Sequence, residues 1–347
     1  MTRRFRKQMR AFESTHRENI HEGNAGQENV KSNRMREKNP MTKQTGSELI
    51  LGCHMSVAGG YHVAVDKARQ ETCDCVQVFT APPRAWPSAD PALPPDQRKS
   101  RLKPITQEDA ERFRKSMRER GLVAAVAHGS YLLNLASPDD VLWQRSIDSL
   151  LVELRRAEQL GIAGVVIHPG SYTTSDEATG LRRIAAGLKE AQRQLGAASV
   201  RCLLETTAGQ GSNLGYRFEH LAEMLDAVAD PDHFGVCIDT CHMFAAGYPM
   251  SKSSEFDATV KQLDTTVGLT NIHAIHLNDS RQPFGSRKDR HEQIGEGEMG
   301  LEPFRHLLND ERLNSIPMYL ETPKGEQGDK SWDRINLETL RKLVPGT

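Results

Sequence analysis

The chain has 347 residues, 37% apolar and 26% charged, and its 45 Lys plus Arg against 46 Asp plus Glu leave a formal charge of −1. That length and apolar fraction suit one large or two ordinary domains with a sizeable core. The charge excludes a uniformly basic nucleic-acid binder but not a local patch, and no window approaches the roughly eighteen uninterrupted apolar residues of a membrane span. With only 3 Trp, 6 Tyr and 10 Phe, a long base-stacking platform for single strands is disfavoured.

In chain order, residues 1–46 come first, with eleven Lys/Arg, five Asp/Glu, few apolar residues and no periodicity. This is the signature of a disordered basic extension. It reads as a tail or a start-site artefact, with translation beginning at Met35 or Met41; a nucleic-acid-attracting arm and an organelle transit peptide are the alternatives. Residues 47–347 read as a single domain, acidic at about −7. There, short apolar runs alternate with longer amphipathic stretches. Strands are predicted over Leu49–Cys53, Cys75–Phe79, Val123–Ala127, Gly164–Ile167, Val200–Leu204, Phe234–Ile238, Ile272–His276 and Ile316–Leu320. Helices are predicted over Tyr61–Gln70, Gln107–Arg120, Val141–Leu160, Asp176–Leu195, Phe218–Ala229, Glu255–Val267, Leu301–Leu308 and Trp332–Leu343. Strict alternation of eight with eight fits an α/β fold of the closed (β/α)8 TIM-barrel type better than an open doubly wound sheet. No Gly-x-Gly-x-x-Gly follows the first strand, which weakens the dinucleotide-binding alternative. Ala81–Pro104 holds seven Pro in twenty-four residues and reads as an extended surface excursion. The six Cys form no Cys-x-x-Cys pair and read as reduced, mostly buried thiols of a cytosolic protein.

Polar residues then gather at one place on this frame. His128, His168, Glu205, Asp239, His276 and Glu321 close the third to eighth strands in succession, at the C-terminal rim where barrel enzymes build their active sites. His242 lies one turn beyond Asp239, and Asp289 and His291, two apart in a loop, face the same way. Each alone reads as structural. Four carboxylates and five imidazoles at one mouth do not, because burying them without cations would cost too much. Nine donors exceed the roughly four to six ligands of one ion and fit two or three ions with a bridging carboxylate. A nitrogen and oxygen set without thiolate favours Zn2+, with Mn2+ or Fe2+ as the alternative. Cys241 is expected to be structural and turned away from Asp239 and His242, and His54, ending the first strand, to be an orienting or structural group.

The segments that carry these residues are Leu51-Gly-Cys-His54-Met-Ser-Val-Ala-Gly-Gly60, His128-Gly-Ser-Tyr131-Leu-Leu-Asn134, His168-Pro-Gly-Ser171, Glu205-Thr-Thr-Ala-Gly-Gln-Gly-Ser-Asn-Leu-Gly215, Cys237-Ile-Asp239-Thr-Cys-His242, His276-Leu-Asn-Asp279, Asp289-Arg-His291 with Gly295-Glu-Gly297, and Leu320-Glu321-Thr322. Together, from about Leu49 to about Leu343, they resemble the endonuclease IV family of apurinic/apyrimidinic (AP) endonucleases. The resemblance implies three zinc ions in a (β/α)8 barrel. His128 and His168 would hold one, Glu205 would bridge it to a second held by Asp239, His276 and Glu321, and His242, Asp289 and His291 would hold the third. It also implies that Arg84, and Tyr131 with Leu132, enter the minor groove of bent double-stranded DNA from which the abasic nucleotide is flipped. The Pro-rich stretch, longer than usual for the family by roughly a dozen residues, and the N-terminal extension depart from the pattern.

The activity this implies is hydrolysis of the phosphodiester 5′ to an abasic site, leaving a 3′-hydroxyl and a 5′-deoxyribose phosphate, with 3′-blocking groups removed as well. Hydroxide generated at the Glu205-bridged pair would attack phosphorus in line, with positive charge on the opposite side for the departing 3′-oxygen, so Glu205 is the expected catalytic carboxylate. Three Zn2+ with four carboxylates leave the site at +2, which suits one phosphate. Arg287, Lys288 and Arg290 are candidate phosphate contacts at the rim, and Gly209–Asn213 offers backbone amides for a phosphate. The expected protein is a monomer, cytoplasmic, and nucleoid-associated if bacterial. Two alternatives remain. A divalent-metal sugar isomerase or epimerase of the same barrel type needs one or two ions and no His242, Asp289 and His291 cluster, and a DNA-damage binder without activity would have no need of nine intact ligand types.

Overall fold

The computed structural model describes residues 49–88, 102–196 and 199–345. The predicted N-terminal extension, and residues 89–101 of the Pro-rich stretch, lie outside the described residues. The elements run, in order, β1 (Leu51–Met55), α1 (Tyr61–Gln70), β2 (Cys75–Phe79), α2 (Gln107–Arg120), β3 (Ala124–His128), α3 (Asp140–Leu160), β4 (Gly164–Ile167), α4 (Glu177–Leu195), β5 (Arg201–Glu205), α5 (Phe218–Val228), β6 (Phe234–Asp239) and α6 (Thr240–Ala246). They continue with α7 (Ser253–Thr266), β7 (Ile272–His276), β8 (Asp279–Ser280), β9 (His291–Glu292), α8 (Glu302–Leu308), β10 (Met318–Leu320), β11 (Glu326–Gln327), β12 (Lys330–Ser331) and α9 (Trp332–Arg341).

Eight of these strands form a closed barrel in the order β1-β10-β7-β6-β5-β4-β3-β2. Every pair is parallel, and β1 closes the ring by pairing with both β10 and β2. The predicted (β/α)8 TIM barrel is therefore the observed fold. The strict one-to-one alternation is not. An extra helix, α6, stands between β6 and α7, and two small antiparallel hairpins, β8 with β9 and β11 with β12, interrupt the last third. Helix α6 follows β6 with no connecting residue, so no turn signal separates the two in the sequence, and two-residue strands leave no alternation at all.

Local chemistry accounts for the boundaries. Helix α2 starts at a capping box in which Thr106 and Asp109 exchange side-chain and backbone bonds. Helix α3 is capped by Asp139, whose side chain accepts from Leu142 N at 2.9 Å. It ends at Gly161, whose φ of 78° needs a residue without Cβ. The helices turn one apolar stripe onto the outside of the barrel; α3 contributes Ile147, Leu150, Leu154 and Leu160, all within 1% of full burial. Each such side chain stabilises the fold by roughly 1.5–3 kcal/mol relative to exposure. Among the described residues no helix is long and apolar enough to cross a membrane.

Inside the barrel a second apolar cluster consists of Cys75, Val126, Val166, Leu203, Cys237, Ala274 and Tyr319, one from each of seven strands. The eighth strand offers Gly52 at this level, where an added Cβ would collide with the carbonyl oxygen of Cys75. This layer is the floor of the site.

Candidate metal centre

Side chains two apart on a strand share a face. Two residues beyond each floor residue stand Gln77, His128, His168, Glu205, Asp239, His276 and Glu321. The layer above the floor is thus entirely polar. Gln77, Glu205, Asp239 and His276 are completely buried and His128 is 2% exposed. Ion pairing and hydrogen bonding therefore decide how this layer is tolerated.

Among the described residues four groups of candidate ligand atoms converge, with the atoms of each group within 4.8 Å of one another. Three consist of expected residues: His128, His168 and Glu205; Glu205, Asp239, His276 and Glu321; and His242, Asp289 and His291. The fourth joins Asp239 and His291 to Cys241. Glu205 belongs to the first two of these. Its Oε2 lies 3.2 Å from the Nε2 atoms of both His128 and His168, and its Oε1 lies 3.0 Å from His276 Nδ1. His276 Nδ1 is also 3.3 Å from Glu321 Oε2. The third group is assembled by α6 and the loop before β9. Asp239 ends β6 and caps α6, accepting from His242 N at 2.8 Å, so the helix starts at the carboxylate and carries His242 back over the mouth. There His242 Nε2 lies 3.2 Å from Asp289 Oδ2 and 3.5 Å from His291 Nε2, and His291 Nε2 lies 3.3 Å from Asp289 Oδ1. All nine residues expected from the sequence are brought together.

The electrostatics follow from this packing. Burial pushes Glu205 upward, yet the charges of His168 and His276 outweigh it and hold the carboxyl well below the usual range. Glu321 is likewise raised by burial but held well below it, chiefly by His276. Burial depresses His242, but Asp239 and Asp289 raise it well above the ordinary imidazole range. His276 and His128 are also raised against their own burial, His128 chiefly by its hydrogen bond to Glu205. Five imidazoles and four carboxylates, each group converging on common space, are a donor set that fits divalent metal.

Several orienting residues carried no signal in the sequence. Gln77 accepts from, or donates to, three functional groups: its Oε1 lies 2.8 Å from His276 Nε2, and its Nε2 donates to Glu321 Oε1 and lies 2.9 Å from His54 Nδ1. Asn278 donates to Asp239 Oδ2 at 2.6 Å and accepts from Glu321 N at 2.9 Å. The carbonyl of Thr206, 2.8 Å from His242 Nδ1, leaves Nε2 facing the third group. Such contacts fix ring orientation and ligand basicity. Only once the structure defines the floor does the two-residue step from Cys75 lead to Gln77. His54 Nδ1 lies 2.9 Å from Gln77 Nε2 and 3.7 Å from Glu321 Oε1, a place that suits either the orienting or the structural role expected for it. Cys241 departs from expectation: its sulfur lies within 4.8 Å of ligand atoms of Asp239 and His291, because α6 begins directly at Asp239. It donates to the Arg290 carbonyl at 3.7 Å, and burial pushes the thiol up to about 12.

At the rim, Tyr131 is 57% exposed and Leu132 is half-buried. Partial desolvation of the phenol, with the charges of Glu321 and Glu205, pushes Tyr131 up to about 12. Arg84 is exposed and held next to them, since Tyr131 N donates to Pro83 O at 2.9 Å. Across the mouth, the exposed Arg287 lies over the Tyr216 ring at 4.5 Å, and Arg290 and Lys288 are exposed. Gln210, from the Gly209–Asn213 turn, accepts from Asp289 N at 3.1 Å and ties that turn to the Asp289 loop.

Residues 65–343 match the family described as a xylose isomerase-like TIM barrel. A protein of Geobacter sp. (strain M21) named probable endonuclease 4 is 39% identical over 297 residues, spanning 86% of this chain and 99% of that protein. The crystal structure of endonuclease IV from Thermus thermophilus is similar with a TM-score of 0.69 and 34% identity, over 84% of this chain and 98% of that one. A D-tagatose 3-epimerase-like protein is similar at a TM-score of 0.59 and 18% identity, over 84% of this chain and 96% of its own; that likeness shows the fold alone.

Proposed function

This chain belongs to the endonuclease IV family, and from that premise we propose that it hydrolyses the phosphodiester 5′ to abasic sites in double-stranded DNA, leaving a 3′-hydroxyl and a 5′-deoxyribose phosphate. The same site removes 3′-blocking groups, whose phosphoester presents the same bond. The observation that carries the reading is the nine-residue donor set in three convergent groups sharing Glu205.

His128, His168 and Glu205 would hold one Zn2+, Glu205, Asp239, His276 and Glu321 a second, and His242, Asp289 and His291 a third, with Mn2+ or Fe2+ an alternative occupant at one position. Bound, these ions supply water deprotonated near neutral pH and positive charge for a departing alkoxide. The chain's own residues do the rest. Glu205 spans two groups with its two oxygens, fixing their separation. Gln77, Asn278 and the Thr206 carbonyl hold the donor atoms at their angles. Tyr131 and Leu132 act as apolar wedges at the gap left by a flipped nucleotide, which costs least to flip where no base is stacked or paired. Arg84 enters the minor groove beside them, and Arg287, Lys288 and Arg290 supply phosphate contacts. The protein works as a monomer on a bent duplex.

The third group also separates this reading from a sugar isomerase or epimerase, which needs one or two ions over a small polyol. The test is a single gel with a metal count. Purified protein is incubated with an abasic duplex, with and without chelator, and bound metal per chain is measured. Chelator-sensitive incision 5′ to the lesion with about three ions per chain is the expected result. No incision with one or two ions bound overturns the proposal.

A further inference from the structure

Helix α3 carries Arg145, Ser149, Glu153 and Arg156 at intervals of four, four and three, the spacing of one helical face. All four meet the segment Thr80–Ser88 that contains Arg84. The Arg145 guanidinium lies over the Trp86 ring at 4.7 Å. Ser149 Oγ is 2.8 Å from Ser88 Oγ, and Arg156 Nε donates to the Thr80 carbonyl at 2.8 Å. Glu153 is completely buried, and its two oxygens serve two different loops. Oε1 accepts from Ser130 N at 3.2 Å, and Oε2 accepts from the Thr80 hydroxyl.

Those loops are also joined to each other. Ser130 Oγ lies 3.1 Å from the carbonyl oxygens of both Pro83 and Ala85, the neighbours of Arg84, and Tyr131 N donates to Pro83 O. An apolar side chain at position 153 would take this partner from the buried Ser130 amide, the costly kind of loss. The nine donor residues of the metal centre do not explain a carboxylate here.

We propose that Glu153 is a positioning residue that fixes the Arg84 segment and the Ser130–Leu132 turn in one rigid unit for insertion into the minor groove at the lesion. It rests on the DNA reading above and adds to it a residue that touches no DNA. Both hydrogen bonds need an atom that accepts from an amide and one that pairs with a hydroxyl. Gln meets both requirements, with Thr80 accepting from its amide, and Met meets neither.

The experiment measures steady-state cleavage of a duplex bearing a tetrahydrofuran abasic analogue, together with bound metal per chain. Glu153→Met raises KM on the order of tenfold, with kcat changed less and metal content unchanged, while Glu153→Gln stays within about twofold of the parent. Combined with Tyr131→Ala and Leu132→Ala, Glu153→Met adds nothing further, because its effect runs through the same wedge. A folded, metal-loaded Glu153→Met protein with unchanged KM overturns the proposal, as does full multiplication of the two effects, or a Gln variant as impaired as Met. If Met fails to fold, Thr80→Val removes one of the two bonds, and a KM rise of about threefold is expected; no rise overturns the proposal. Should Tyr131→Ala with Leu132→Ala leave KM unchanged by itself, the DNA reading fails first and this proposal falls with it.

Discussion

The two inward layers of the barrel come from the same strands, two residues and about 6.6 Å apart, and both are largely closed to water, yet they hold together for opposite reasons. The floor, from Cys75 round to Tyr319, is stable because apolar surface has left water. The layer above it, from Gln77 round to Glu321, has given up hydration of ionisable groups and recovers it only through matched charge. The raised imidazoles and lowered carboxylates of His242, His276, Glu205 and Glu321 are the mark of that matching. Burial alone therefore says nothing about function; the sign of the transfer energy does. One layer stabilises the barrel unconditionally and the other does so on condition that positive charge is present.

That contrast can be broken in four places. The largest effect is expected from Glu205→Gln, which removes the shared carboxylate charge. Cleavage of an abasic duplex should fall by at least about a thousandfold, near the level reached with excess chelator, and near-normal cleavage would refute the proposed role. Next, Leu203→Ala in the floor should cost about 3 kcal/mol of unfolding free energy in urea while metal per chain stays constant. Metal loss in that variant would show that the layers are not separable. Gln77→Leu should leave the fold intact but weaken metal affinity roughly 10- to 100-fold in chelator competition; unchanged affinity would mean the His276 and Glu321 contacts orient nothing. Smallest is Arg287→Ala, expected to flatten the dependence of log affinity on log salt by about 1, with a parallel slope counting against a phosphate contact.

The polar layer was legible in the sequence because a barrel rim is one-dimensional: each strand's last inward residue belongs to it, so His128, His168, Glu205, Asp239, His276 and Glu321 could be gathered without knowing the tertiary structure. The ranges of α1, α2, β2, β4 and β7 also match those expected from the sequence. What was not legible depends on contacts between strands. Gln77 is an ordinary polar residue in an apolar run until β2 is set beside β1 and β3. Asn278 and the Thr206 carbonyl matter only through partners some forty residues away. Cys241 was misjudged because the strand-to-helix junction at Asp239 leaves no connecting residue, so the thiol sits closer to the carboxylate than a loop would place it.

Closure of the barrel by β1 against β10 has a consequence for synthesis. Elongating on the ribosome, the polypeptide acquires His128, His168 and Glu205 early, but the group that contains Glu321 stays incomplete until the last barrel strand has emerged and zipped onto the first. A truncated product ending before Met318 therefore lacks one wall of the cylinder as well as Glu321, and the nuclease centre proposed above stays incomplete until translation is nearly finished.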